Sequence, residues 1–207
     1  MSDHSEKDLK KERIIEVALK QFAQNGYKQT STDIITKEAN VSKGILFHHF
    51  QTKMGLFQYL YQYSLKLIMQ EIQTYPHYQG NDFFDIILSG VEAKWHVMSK
   101  SPYIFEFMTS ALRDTDQDIK LFINSQHQLA SSDVWQDIMS RVDKQKFKSV
   151  DDIEKLMSLI RYYNDGLMVH FKELGADVNS VELQGKYAEF KEMMAMLKRN
   201  FYKVEYL

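Results

Sequence analysis

The chain has 207 residues, a net charge of −2 and 44% hydrophobic residues, the balance of an ordinary globular fold. It holds no cysteine, which excludes a disulfide framework and a thiolate metal site, and its two prolines and eight glycines force few breaks, favouring long helices over a many-turned β architecture. No segment approaches the roughly eighteen uninterrupted apolar residues of a membrane span and Met1 to Lys7 carry no apolar signal core, so no membrane partner and a cytoplasmic location are expected.

Along the chain, Ile14, Ile15, Ala18, Leu19 and Phe22 recur at spacings of three and four, which predicts a first helix from Leu9 to about Gln24 with Asp8 as its N-cap. Asn25-Gly26 is its stop signal, because both residues tolerate the left-handed conformation. The capping residues Thr30-Ser31-Thr32-Asp33 precede Ile34, Ile35 and Ala39, predicting a short second helix over Thr32 to Ala39, with Asp33 read as a cap of its own helix. Asn40 fits a sharp turn at positive φ, Val41 can plug the angle between helices, and Ser42 can cap a third helix through Phe50.

A fourth helix is predicted from near Thr52 past Met69, ended by Tyr75-Pro76 to Asn81. Further helices follow over Asp82 to Ser99, Pro102 to Arg113, Asp116 to about Val142 with a possible break, Val150 to Leu174, and Val181 to Phe201. The expected fold class is all-α: an N-terminal three-helix helix-turn-helix domain over 1–53, joined to a larger helical domain over 54–207. Charge is distributed unevenly, near +2 for residues 1–60 and −4 for the rest, a weak pointer toward a polyanion at the N-terminal end.

Helix, short helix, tight turn, short helix and long helix is the layout of a helix-turn-helix, although many small bundles contain such hairpins. The residues themselves are more specific. Gly26-Tyr27, Thr30-Ser31-Thr32, the unbroken run Ile35-Thr36-Lys37-Glu38-Ala39-Asn40-Val41-Ser42-Lys43-Gly44-Ile45-Leu46-Phe47-His48-His49-Phe50-Gln51-Thr52-Lys53, and Leu56-Phe57 closely resemble the TetR/AcrR signature. The resemblance covers about the first sixty residues; beyond them it is one of length and helix content.

It implies a regulator that binds double-stranded operator DNA through the helix over 42–49. Lys43 is the leading contact to a base edge or a phosphate, with Gly44 letting the backbone approach and Ile45 able to offer only apolar contact, for example to a thymine methyl. His48 follows on the same helix. His49 and Lys53 match positions that contact phosphate in the family, Ser31 and Thr32 can present hydroxyls and N–H groups to the backbone at the start of the second helix, and Thr30 and Ser42 are further candidate DNA contacts. Phe47 stands where the family commonly has Tyr, keeping the ring and losing a hydroxyl donor. Leu46 and Phe50 read as core. Adjacent His48 and His49 diverge by about 100° on a helix, so no metal site is expected.

In the body, the resemblance implies a cavity between the middle helices. Trp95, Met98, Phe107, Met108, Phe122, His127, Tyr163 and Leu167 are the candidate lining for a small apolar or aromatic effector. His96, His127 and His170 show no ligand spacing, and no cofactor is expected. The resemblance also assigns the apolar stripes of the last two helices, including Leu156, Ile160, Phe190, Met194 and Leu197, to a two-fold homodimer interface. No Ser/His/Asp arrangement or Gly-rich phosphate loop points to an enzyme. The expected function is a ligand-released homodimeric repressor on a palindromic operator; the alternatives are an activator, or a helical interaction module that retains the helix-turn-helix without binding DNA.

Overall fold

A computed structural model describes residues 6–174 and 181–207; within them the side chains of residues 7, 98, 102, 127–133, 164–165, 168–174 and 183 are not described. Among the described residues the chain forms nine α-helices and two 3₁₀ turns, with a single isolated bridge between Phe147 and Tyr202. The helices are α1 (Glu6–Gln29), α2 (Thr32–Glu38), α3 (Lys43–Phe50), α4 (Lys53–Thr74), α5 (Phe83–Lys100), α6 (Pro102–Arg113), α7 (Gln117–Arg141), α8 (Asp152–Leu174) and α9 (Val181–Phe201). The all-α class follows, and among the described residues no helix is long and apolar enough to cross a membrane.

Two compact units divide the chain: Met1–Met69 with Ser101–Leu129, and Gln70–Lys100 with Ala130–Leu207. The unit that contains the helix-turn-helix is therefore larger than the segment 1–53 expected to touch DNA. Its core is the apolar stripe of α1, with Ile14, Ala18 and Phe22 buried together with Leu46, Leu56, Phe57 and Phe107. Phe57 meets Phe22 and Phe107 edge-on, at ring-centre separations of 5.4 and 5.1 Å, and the Ser110 hydroxyl donates to the Phe22 carbonyl at 3.3 Å. Thus α6, distant in sequence, completes the hydrophobic floor under the N-terminal helices.

The second unit closes on an aromatic cluster of Phe83, Phe84, Phe147 and Tyr202, all buried. Above it, Asp82 caps α5 by accepting from the Phe84 N–H at 3.1 Å. The same carboxylate receives Lys146 at 3.0 Å and Lys198 at 3.2 Å. Burial pushes the Asp82 pKa upward, but the hydrogen bond from Lys146 and the other donors outweigh it, and the net shift is downward.

The stripes of α8 and α9 also lie inside this unit. Leu156, Ile160, Phe190, Met194 and Leu197 are all buried within the single chain, and Tyr163 stacks on Phe190. These five, expected at an interface between copies, already have most of their apolar surface covered by their own chain. Sequence periodicity finds the apolar face of a helix, but does not say whether the same chain or another covers it.

Three local expectations change. Helix α1 begins at Glu6, which puts Asp8 in its first turn rather than at the N-cap. Gly26 breaks the helix with φ 68 as expected, yet the chain resumes one short helical turn to Gln29. Ser31, not Asp33, caps α2, its hydroxyl accepting from the Asp33 N–H at 3.2 Å.

Candidate nucleic-acid interface

The two short helices are built as their sequence requires. Ile35 and Thr36 of α2, its C-cap Ala39, and Leu46 and Phe50 of α3 point into the core. Between them Asn40 adopts φ 52, and the Val41 N–H reaches back to the Thr36 carbonyl at 3.0 Å, closing the turn. Ser42 is extended, and its hydroxyl accepts from the Ile45 N–H at 3.3 Å, fixing where α3 starts. With Leu46 and Phe50 anchored inward, the remaining positions of α3 must face outward.

Ser42, Lys43, Gly44, Phe47 and His48 are exposed, and Ile45 and His49 half-buried. Ser42, Gly44, Ile45, His48 and His49 line one open groove together with Glu6 and Lys10 from the first turns of α1. Glu6 and Lys10 are ion-paired with each other at 2.6 Å, and sequence reasoning missed both as groove residues, because only the packing of α1 brings them there. Ile34 was read as part of the apolar run of α2 yet is 45% exposed. Its neighbours Ile35 and Ala39 form the buried i, i+4 pair, and Ile34 lies one residue, about 100°, off that stripe, a signal present in the sequence.

Lys53 opens α4. Its ammonium donates to the Lys28 carbonyl at 3.3 Å and lies 4.6 Å from the centre of the Tyr27 ring. Burial lowers its pKa, and the carboxylates of Asp114 and Asp116 oppose that shift. Asp114 is on the α6–α7 turn and accepts from the Tyr27 N–H at 3.0 Å. Ser31 and Thr32 are half-buried at the start of α2.

Thr30 does not belong with them. It is 3% exposed, and its hydroxyl lies 2.7 Å from the Gly26 carbonyl and 3.0 Å from that of Gln21. The hydroxyl serves the carbonyls freed by the break at Gly26 and is engaged inside the chain. Asp33 pairs with Lys43 across the helix-turn-helix instead of capping α2.

Residues 14–60 match the family model described as bacterial regulatory proteins, tetR family. Residues 14–60 are thus a tetR-type N-terminal domain. The probable acrEF/envCD operon repressor of Escherichia coli is 40% identical to it over 66 residues, covering 31% of this chain and 30% of that one. The first curated relatives are thus matched over about a third of their own length. Beyond the TetR domain the likeness is one of fold. A transcriptional regulator from Rhodococcus superposes with a TM-score of 0.68 at 15% identity, covering 93% of this chain and 98% of that one. FadR from Bacillus subtilis, solved in complex with stearoyl-CoA, gives 0.60 at 16% identity, covering 86% and 96%.

The candidate effector residues fall in both compact units. Phe107, Met108 and Phe122 belong to the first, where Phe107 is fully buried against Phe22 and Phe57. Phe122 is half-buried and meets Tyr61 edge-on. Trp95, Tyr163 and Leu167 are half-buried in the second unit, with Trp95 stacked on Tyr187. The side chains of Met98, His127 and His170 lie outside those described. His96 is engaged by Glu71, Nδ1 to Oε1, at 2.5 Å.

Proposed function

We propose that the chain is a sequence-specific DNA-binding transcriptional regulator, a cytoplasmic homodimer that represses from a palindromic operator and is released by a small molecule. The observation that carries this reading is the outer face of α3. A helix pinned by Leu46 and Phe50 offers Ser42, Lys43, Gly44, Phe47 and His48 to solvent at one end of the chain. A cation and an unobstructed glycine at the start of such a helix suit the edge of a major groove; Ile45, Phe47 and His48 extend the contact along it. Ser31, Thr32, His49 and Lys53 are the backbone contacts of this proposal.

One helix of eight residues reads too few bases for specificity, and two copies on a two-fold operator supply the rest. The proposed homodimer uses the outer sides of α8 and α9, where Leu159 is 50%, Tyr162 74% and Met196 47% exposed. Release by an effector requires a ligand that binds one conformation better by a few kcal/mol. Apolar and aromatic effectors are favoured by the half-buried Trp95, Tyr163 and Leu167 of the second unit, and by a protein of the same fold that holds stearoyl-CoA.

Footprinting the purified protein on the DNA flanking its own gene tests the proposal. Protection of a two-fold symmetric segment, lost in the Lys43→Ala variant, is the expected result. A persistent lack of protection at low salt overturns it and favours the interaction module.

A further inference from the structure

Asp33 and Lys43 lie on different helices of the helix-turn-helix and form an ion pair across it, with side chains 64% and 57% exposed. An exposed pair contributes only about 0.2–1 kcal/mol to folding, so its placement matters more than its stability. Lys43 is the first residue of α3, beside the exposed Ser42 and Gly44, and Asp33 is in the first turn of α2. A carboxylate on a surface that meets a polyanion opposes binding, and this one also occupies the best-placed cation.

We infer that Asp33 is a specificity-determining residue for DNA, acting through Lys43: it withholds the ammonium from phosphates while leaving it available to base edges. The inference rests on the DNA-binding reading above. Its basis is the difference between the two acceptors. An ammonium has three donors, so Lys43 can keep one on Asp33 and direct others to the neutral O6 and N7 atoms of a guanine. The amino group of a neighbouring cytosine can donate to Asp33 itself. A phosphate is an anion, is repelled by Asp33, and must compete with it for the same charge. Non-specific binding is almost wholly phosphate binding, so the carboxylate weakens it more than it weakens binding to the correct site.

The test compares two DNA probes of equal length, the footprinted segment flanking the gene and a scrambled sequence of the same composition. Asp33→Asn removes the charge while keeping the shape, and thermal melting checks that the variant is folded. Its affinity for scrambled DNA is expected to rise about three- to tenfold, with a salt slope steeper by up to about 0.9, one further phosphate neutralised. Affinity for the footprinted segment changes less, so the ratio between the probes falls. Asp33→Glu, which retains the charge, keeps most of the ratio. In a Lys43→Met background the effect of Asp33→Asn shrinks to less than half.

A ratio unchanged within about twofold in a folded Asp33→Asn protein overturns the inference, as does an undiminished effect without Lys43. Failure of the unaltered protein to bind either probe overturns the DNA-binding reading itself, a result distinct from both.

Discussion

The Tyr27 ring and the Lys53 ammonium are stacked 4.6 Å apart, joining the kinked end of α1 to the start of α4. The Tyr27 N–H is held by Asp114, so the α6–α7 turn grips the same point from the other side. A proposed phosphate contact is therefore supported by three segments distant in sequence. Lys53→Ala is expected to leave the fold intact, since a half-exposed cation–π contact is worth about 0.5–1 kcal/mol. It should lower DNA affinity and flatten the salt slope by about 0.9. An unchanged slope in a titration over salt concentration would show that Lys53 does not meet the backbone.

Gly55 bears on the same junction. A Cβ at this position would stand 2.2 Å from the Phe50 carbonyl oxygen and 3.4 Å from its carbon, both backbone atoms. Helix propensity alone favours alanine over glycine here by about 1 kcal/mol. The clash reverses the sign: Gly55→Ala is expected to destabilise by about 2 kcal/mol or more, because the end of α3 must shift to admit the methyl group. Denaturant melts measure it directly, and a stabilised variant would refute the close approach.

How much of this was legible in the sequence differs by region. In the first sixty residues nearly every element was, because their conformations are set locally: Gly26 and Asn40 at positive φ, Ser42 at a cap, Leu46 and Phe50 on one helical face. What escaped was relational. Thr30 looks like any surface threonine until the break at Gly26 leaves carbonyls for its hydroxyl to meet. Asp33 reads as a cap because its partner Lys43 is ten residues away, across a turn. In the body the helices were legible by period alone, whereas the burial of Phe107 and of the α8 and α9 stripes within the single chain was not, because burial depends on which elements pack together.

Asp82 provides a test of pH dependence. Its carboxylate is paired with Lys146 and Lys198, and its pKa in the folded chain is lowered. A lowered carboxylate pKa contributes stability that is present above the unfolded value, near 4, and is lost as pH falls through the folded value. Asp82→Asn retains the α5 cap but not the charge, and leaves two lysines unneutralised. It should cost about 2 kcal/mol at pH 7, with the gap closing as unfolding is measured at progressively lower pH below about 4. A penalty independent of pH would assign the effect to the cap or to packing.

The contrast in burial along α8 makes two substitutions on one helix diverge. Leu156 is 1% exposed, in the core of its own chain, whereas Tyr162 is 74% exposed on the opposite side. Leu156→Ala should destabilise the fold by about 2–5 kcal/mol, the usual cost of emptying a buried leucine site. Tyr162→Glu should leave the folded chain nearly as stable, since surface changes shift stability by about 0.5 kcal/mol or less. If the outer face joins two copies, the same Glu places a pair of carboxylates in an apolar interface and shifts the dimer toward monomer. Sedimentation over a range of concentrations separates the cases. Dissociation by Tyr162→Glu without loss of helicity supports the outer face, and an unchanged dimer removes it from the interface. If Leu156→Ala instead dissociates the dimer while leaving the chain fully stable, the interface lies on the inner stripe after all.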